Sequence, residues 1–221
     1  FCDDFDGKGN NRFNYLADLL VSNGYNVELI STSYSHTKKE RRSNNHYNVN
    51  YKVTLISEPG YKKNVSLKRF YSHYIMSRNL DKYLKTIKIP DIIYCAVPSL
   101  DVAKVAAQYS CKNNVPFIID IQDLWPEGFR LVFNLPMVSD FLFLPMKLKA
   151  NYIYSRADAI VAVSKTYANR ALKANKKCYK GHSIFLGTDL NNFDNLAIKN
   201  QIYKQNDEIW LTYVGTLGHS Y

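Results

Sequence analysis

Apolar positions recur along the chain with two periods. Phe13, Leu16, Ala17, Leu19 and Leu20 lie at helical spacing and stop at Asn23-Gly24, so a helix is predicted after the opening loop. YNVELIS (25–31) then reads as a buried strand, the polar and basic SHTKKERRSNNHY (35–47) as a loop, and VNYKVTLIS (49–57) as a second strand ended by Pro59-Gly60. From Ser66 to Ile87 the residues Leu67, Phe70, Tyr71, Tyr74, Ile75, Leu80, Leu84 and Ile87 mark one face of a long amphipathic helix. PDIIYCAV (90–97), VPFIIDI (115–121), DAIVAV (158–163) and HSIFLG (182–187) are strand-like. Between them lie a helix marked by Val102, Ala103, Val105, Ala106 and Tyr109, a helical region from Met146 to Ser155, and SKTYANRALKA (164–174) with Ser164 as its N-cap.

Near-continuous apolar strands, each followed by an amphipathic helix, are what a parallel sheet covered on both faces requires. The fold class expected is therefore α/β, a Rossmann-like doubly wound parallel sheet over residues 1–188. From Asp189 the composition turns to Asn, Lys, Asp and Gln, which predicts a linker over 189–208. Residues 209–221 resume strand character at Ile209–Val214 and continue into a Gly-rich loop, as the start of a second domain would. The chain opens on Phe1, and FCDDF reads like the last turn of a strand entering a loop, so a preceding strand is expected.

With 221 residues and 46% hydrophobic composition, the chain can build a sizeable core. Its net charge of +10 points to an anionic partner. The run KKERR (38–42) comes with no recognition helix, zinc finger or aromatic single-strand motif, so nucleic acid is not the partner expected. Cys2, Cys95, Cys111 and Cys178 lie far apart with no metal-ligand spacing and read as reduced thiols of a cytoplasmic protein. The most apolar region (131–148) is broken by Asn134, Pro136, Asp140 and Pro145, so no membrane-spanning helix is expected there. Within it, FLFLPMKLK (141–149) sets apolar residues beside Lys147 and Lys149. It reads either as core or as an interfacial helix resting on an anionic lipid surface.

In an open α/β sheet, ligands bind outside the carboxyl ends of the strands, where loops converge and helix N-termini point. FIIDIQDLWPEGF (117–129) runs a strand into Asp123 and Glu127 at that edge, with Trp125 and Pro126 between them. Two readings stand side by side. The carboxylates cap and favour the dipole of a following helix, or they orient or deprotonate a hydroxyl beside a sugar-stacking Trp125. Gly7 and Gly9 precede the first helix, where backbone amides can approach a sugar or phosphate, and Lys8 and Arg12 would add positive charge to that mouth. His219, after the Gly-rich loop of 215–218, is a candidate ligand contact, whereas His73 and His182 read as structural.

IIDIQDLWPEGF, SRADAIVAVSKTYANRAL, LGTDLNNF and YVGTLGHSY, in that order and spacing, resemble retaining glycosyltransferases of the GT-B fold in family 4, and among them the bacterial enzymes that assemble capsular or O-antigen polysaccharide. The resemblance implies two Rossmann-like domains facing across a cleft, of which residues 1–188 would be the N-terminal, acceptor-binding one. It implies transfer of a sugar from a nucleoside-diphosphate donor to a hydroxyl of a saccharide or lipid-linked saccharide acceptor, with no cofactor and no metal. By the same likeness Asp123 and Glu127 fall near the acceptor hydroxyl, the loop containing Gly7, Lys8, Gly9 and Asn10 approaches the reacting sugar, and Gly215, Thr216 and Gly218 lie near the diphosphate. Leu186 departs from the Asn usual in the family's linker, and the family's Glu-rich donor motif is not in this sequence, so the chain by itself is expected to be inactive. A cytoplasmic protein, with peripheral attachment to the inner face of the membrane as an option, fits this role. The competing expectations are a sugar-nucleotide epimerase of the same plan and a non-catalytic module that anchors acceptor for a separate chain.

Overall fold

Parallel ladders between helices are what the alternating pattern becomes in the computed structural model, which describes residues 5, 11–42, 47–63, 66–130, 141–188, 190–199 and 203–214. The chain divides into a unit of Phe1–Leu186 and a second of Gly187–Tyr221.

In the first unit, helix α1 (Arg12–Ser22) starts where the Asn11 side chain accepts a hydrogen bond from the Phe13 amide, and it leaves through Asn23 and Gly24, whose φ of +84° suits glycine. Strand β1 (Glu28–Thr32) pairs in parallel with β4 (Lys52–Ile56), Thr32 opposite Ile56. Between them, the stretch expected as a loop forms a small antiparallel hairpin of β2 (Tyr34–Ser35) and β3 (Glu40–Arg41). Strands this short carry no readable alternation.

Helix α2 (Leu67–Leu84) is capped by the Ser66 hydroxyl, which accepts from the Arg69 amide. Its buried face differs from the expected one. Leu67, Tyr71 and Tyr74 are exposed, while Ser72, His73, Met76, Ser77, Leu80 and Leu84 face inward. Met76, Leu80 and Leu84 pack on Ile56, whereas Ser72 meets a buried polar network, so small polar residues there replace apolar ones.

The larger ladder runs β5 (Ile93–Val97), β6 (Phe117–Ile121), β7 (Ala159–Ala162) and β8 (His182–Ser183), side by side and all parallel. Between successive strands run α3 (Leu100–Asn113), then α4 (Glu127–Arg130) and α5 (Leu144–Arg156), then α6 (Lys165–Leu172). Alternation along β6 divides two faces. Phe117, Ile119 and Ile121 join Ala103, Ala106 and Ala107 of α3, Ala150 and Ile153 of α5 and Ala168 of α6 in one fully closed core. Small residues on the helices let them lie close to the strands, and each buried Ile contributes roughly 1.5–3 kcal/mol.

The opposite face carries Asp120, which is wholly buried and accepts hydrogen bonds from the Arg12 Nε of α1 at 2.7 Å and from the Tyr94 hydroxyl at 2.8 Å. Helices on both faces of parallel strands make the chain α/β and Rossmann-like, as expected. Strand β8 is shorter than HSIFLG predicts. It borders β7, itself only four residues long, and after Ile184 donates to the Ala162 carbonyl the chain leaves the ladder, with Phe185 and Leu186 exposed.

In the second unit, the stretch expected as a linker contains helix α7 (Leu190–Lys199). Residues 209–214 have no strand pairing among the described residues. A parallel strand exists only with a neighbour to pair with, and 203–214 supply none.

Candidate functional site

The loop after β6 is built at the carboxyl edge of the larger ladder, where the Gln122 amide still donates to the Val97 carbonyl at 3.0 Å. Asp123 follows, and its side chain is exposed. It does not swing freely: Oδ1 accepts from the Leu124 amide at 2.9 Å and Oδ2 from the Trp125 indole N–H at 3.3 Å. The Gly128 amide closes the turn on the Leu124 carbonyl at 2.7 Å, and the space where a Gly128 side chain would begin lies 3.6 Å from Asp123 Oδ1. Asp123 is thus a fixed carboxylate at the tip of a tight turn, facing solvent at the edge where α/β folds bind ligands.

Trp125 is placed otherwise than expected. The indole is only 7% exposed, stacked on the His73 ring of α2 with centroids 6.2 Å apart, packed against Phe129 at 4.9 Å and covered by the Arg69 guanidinium at 4.8 Å. It anchors the loop to α2 rather than offering a platform to a sugar. The cause is bulk: the largest apolar side chain in the loop finds a hollow between α2 and the core, and its one N–H turns back to Asp123. The peptide bond between Trp125 and Pro126 is cis, and α4 begins at the next residue. Burial, with Arg69 nearby, pulls the His73 imidazole down to about 4, so it stacks as a neutral ring at physiological pH.

Glu127 stands in the first turn of α4, as the helix-dipole reading expects. Its half-buried carboxylate reaches α6, where Oε1 accepts from Arg170 Nε at 2.5 Å, while Oε2 is buried with no hydrogen-bond partner among the described residues. Arg170 in turn donates through Nη2 to Asn151 of α5 at 2.9 Å and lies over the Tyr154 ring at 5.4 Å. Tyr154 is fully buried with an unpartnered hydroxyl, and its pKa is raised chiefly by burial, against the pull of Arg170.

Arg12, expected to add free charge to the mouth, spends its guanidinium inside the fold. Besides Asp120 it donates to the Ile184 carbonyl at 2.9 Å. Burial alone would lower its pKa, yet the hydrogen bond and charge of Asp120 outweigh that and leave it raised. Gly7, Lys8, Gly9, Asn10, Gly215, Thr216, Gly218 and His219 lie outside the described residues. Among the described residues no group of three His, Cys, Asp or Glu side chains stands together as a metal site would need.

Another carboxylate follows the smaller ladder. Glu58, past the end of β4, is 2% exposed and accepts from the Thr32 hydroxyl through Oε1 and from the Ser72 hydroxyl through Oε2. Thr32 and Ser72 themselves accept from the Tyr34 amide at 2.9 Å and the Gly60 amide at 2.8 Å.

Arg170, Asn151, Asp120, Arg69 and Glu58 were not singled out from the sequence. A charge inside the apolar run FIIDI was the available signal for Asp120, since a buried carboxylate requires a donor. For Arg170 there was none, because its partner is 43 positions away and lies on another element.

The family model described as Glycosyltransferase Family 4 matches residues 9–191, which span α1, both parallel ladders and the Asp123 loop. No curated protein matches the chain.

Proposed function

Since the chain belongs to Glycosyltransferase Family 4, we propose that it is the acceptor-binding, N-terminal part of a transferase of the GT-B plan. On this reading residues 1–188 form that domain, 189–208 the connection and 209–221 the start of a donor-binding domain. The enzyme moves a sugar from a nucleoside diphosphate to a hydroxyl of a saccharide or lipid-linked saccharide, with retention, in cell-surface polysaccharide assembly. The observation that supports this is Asp123, an exposed carboxylate fixed by two hydrogen bonds at the carboxyl edge of β6. A carboxylate so held has lone pairs directed outward and can accept the hydrogen bond of an incoming hydroxyl. The bond from the anomeric carbon to the diphosphate oxygen breaks with its electron pair leaving on the diphosphate. The acceptor oxygen forms the new bond, and its proton passes to the carboxylate and then to solvent. Orientation of this kind contributes through proximity rather than through strong basicity.

The test is transfer by the complete protein with a panel of UDP-, GDP- and dTDP-sugars and a cell-envelope extract as acceptor, read as nucleoside diphosphate release and labelled glycoside. Asp123→Ala is expected to lower kcat/KM at least tenfold while leaving the folded fraction unchanged. Unaltered transfer would return Asp123 to a turn-forming role. A free epimerised sugar nucleotide as product would favour the epimerase, and a chain inert with every donor would favour the anchoring module.

A second reading has its own observation. Phe141, Leu142 and Leu148 are 82%, 65% and 60% exposed beside Lys147, which suits peripheral attachment to an anionic bilayer on the cytoplasmic side. No helix among the described residues is long and apolar enough to cross a membrane. Flotation with phosphatidylglycerol vesicles should decline as salt rises, and vesicles that fail to bind the protein at low ionic strength would exclude the attachment.

A further inference from the structure

We propose that Arg170 is a positioning residue for the transfer reaction, acting through Glu127 on Asp123. The inference rests on the reading of Asp123 given above and extends it to a helix that reading does not involve.

The Asp123 turn is tied down on two sides. On one side Trp125 is clasped by His73 and Arg69 of α2 and donates its N–H to Asp123. On the other, Glu127 reaches Arg170 of α6, and the residue next to Glu127, Gly128, closes the turn on Leu124 directly beneath the Asp123 carboxylate. A displacement of Glu127 therefore moves Gly128 and Asp123 with it.

The pair is more than a surface ion pair. The Arg170 and Glu127 side chains are 17% and 32% exposed, and Arg170 is itself fixed by Asn151 and by the Tyr154 ring of α5. A guanidinium held at three points transmits the placement of α5 and α6 to the loop.

The cluster is also incompletely satisfied. Among the described residues Glu127 Oε2 and the Tyr154 hydroxyl are both buried without a partner, and an unsatisfied buried polar group destabilises the fold. A cluster that served packing alone would be better filled by apolar side chains of the same volume. Keeping an ion pair there at that cost is understandable if what matters is the exact direction in which the loop is held.

The experiment is a double-mutant cycle in the complete protein, using the transfer assay above. Arg170→Met is expected to lower kcat/KM for transfer about tenfold, since a misplacement of about 1 Å can cost up to a hundredfold. Arg170→Lys, which keeps the charge, is expected to recover part of that loss. The decisive comparison is in the Asp123→Ala background, where adding Arg170→Met should change transfer by no more than about twofold, because the group that Arg170 positions is already gone. A merely structural Arg170 would instead multiply the two losses.

Full additivity, or an Arg170→Met protein that transfers like wild type, overturns the positioning role while leaving the Asp123 reading intact. An Asp123→Ala protein with normal transfer overturns that reading and this inference with it. Should Arg170→Met fail to fold, the Glu127→Gln and Arg170→Met double variant, which buries no lone charge, replaces it in the cycle with the same expected outcomes.

Discussion

Glu58 and Glu127 follow the carboxyl ends of different parallel ladders, and the fold treats them differently. Glu58 is sealed off, and each of its oxygens accepts a hydrogen bond from a hydroxyl that itself accepts one from a backbone amide, so the group is complete within its own neighbourhood. Glu127 has one oxygen on an arginine from a distant helix and one without a partner among the described residues. The carboxylates differ also in the kind of partner: neutral hydroxyls make Glu58 part of the packing between β1, β4 and α2, whereas a cation from another helix makes Glu127 a tie between α4 and α6. The sites meet on α2, where Ser72 serves Glu58 and its neighbour His73 supports Trp125.

The largest effect should come from the carboxylate that combines both properties, Asp120, which is wholly buried and paired with a cation from α1. Asp120→Ala leaves the Arg12 guanidinium without its partner and is expected to cost about 3–5 kcal/mol, read from denaturant midpoints. A loss below about 1 kcal/mol would mean that Arg12 escapes to water and that the ion pair does not bind α1 to the sheet.

Next in size, Glu58→Gln removes one acceptor from a network with no spare partner, and about 1–3 kcal/mol should be lost. The same change at Glu127 should cost less stability and more transfer, because half of that carboxylate is already unsatisfied. If Glu58→Gln impaired transfer per folded molecule as severely as Glu127→Gln, the division between a packing carboxylate and a tie would collapse.

His73 supplies a pH-dependent version of the comparison. The folded imidazole is pushed down to about 4 by burial first and by Arg69 and His36 next, with Asp101 opposing them. The unfolded chain takes up a proton near pH 6.5 and the folded one does not, so stability is intact above pH 6.5 and falls as pH drops from there toward 4. At pH 5.5 the loss should be about 1.4 kcal/mol. A His73→Phe variant, which keeps a ring against Trp125, should be flatter over that interval when its melting temperature is followed. An unchanged slope would place the acid sensitivity elsewhere.

Much of the fold was legible because its parallel strands are apolar at nearly every position and its helices carry clear stops. Asn11, Ser66 and Ser164 all cap as their residue types suggest. The hairpin 34–41 was hidden because strands of two residues bear no period, and the inward face of α2 was misread because it meets a polar network that only the chain's return path creates. At the candidate site, FIIDIQDLWPEGF marked the right loop and the right edge of the sheet, but not which way each side chain points. Trp125 turns inward and Glu127 reaches across because partners on α2 and α6 lie far away in sequence, and periodicity carries no information about such pairs. Asp123 keeps the outward direction expected of it.

The smallest effect should come from a carboxylate whose partner is both local and wet. Asp81 pairs with Lys85 one turn on along α2 at 2.5 Å, with side chains 44% and 62% exposed. Water solvates either charge once the other is removed, so Asp81→Asn is expected to change stability by no more than about 0.5 kcal/mol and transfer not at all. The distance is as short as that between Arg170 and Glu127, which makes the pair a control for the idea that enclosure and cross-element reach, rather than closeness of contact, give an ion pair its weight. A denaturant midpoint for Asp81→Asn as low as that of Glu58→Gln would show that contact distance alone ranks these carboxylates, and the contrast between Glu58 and Glu127 would then need another explanation.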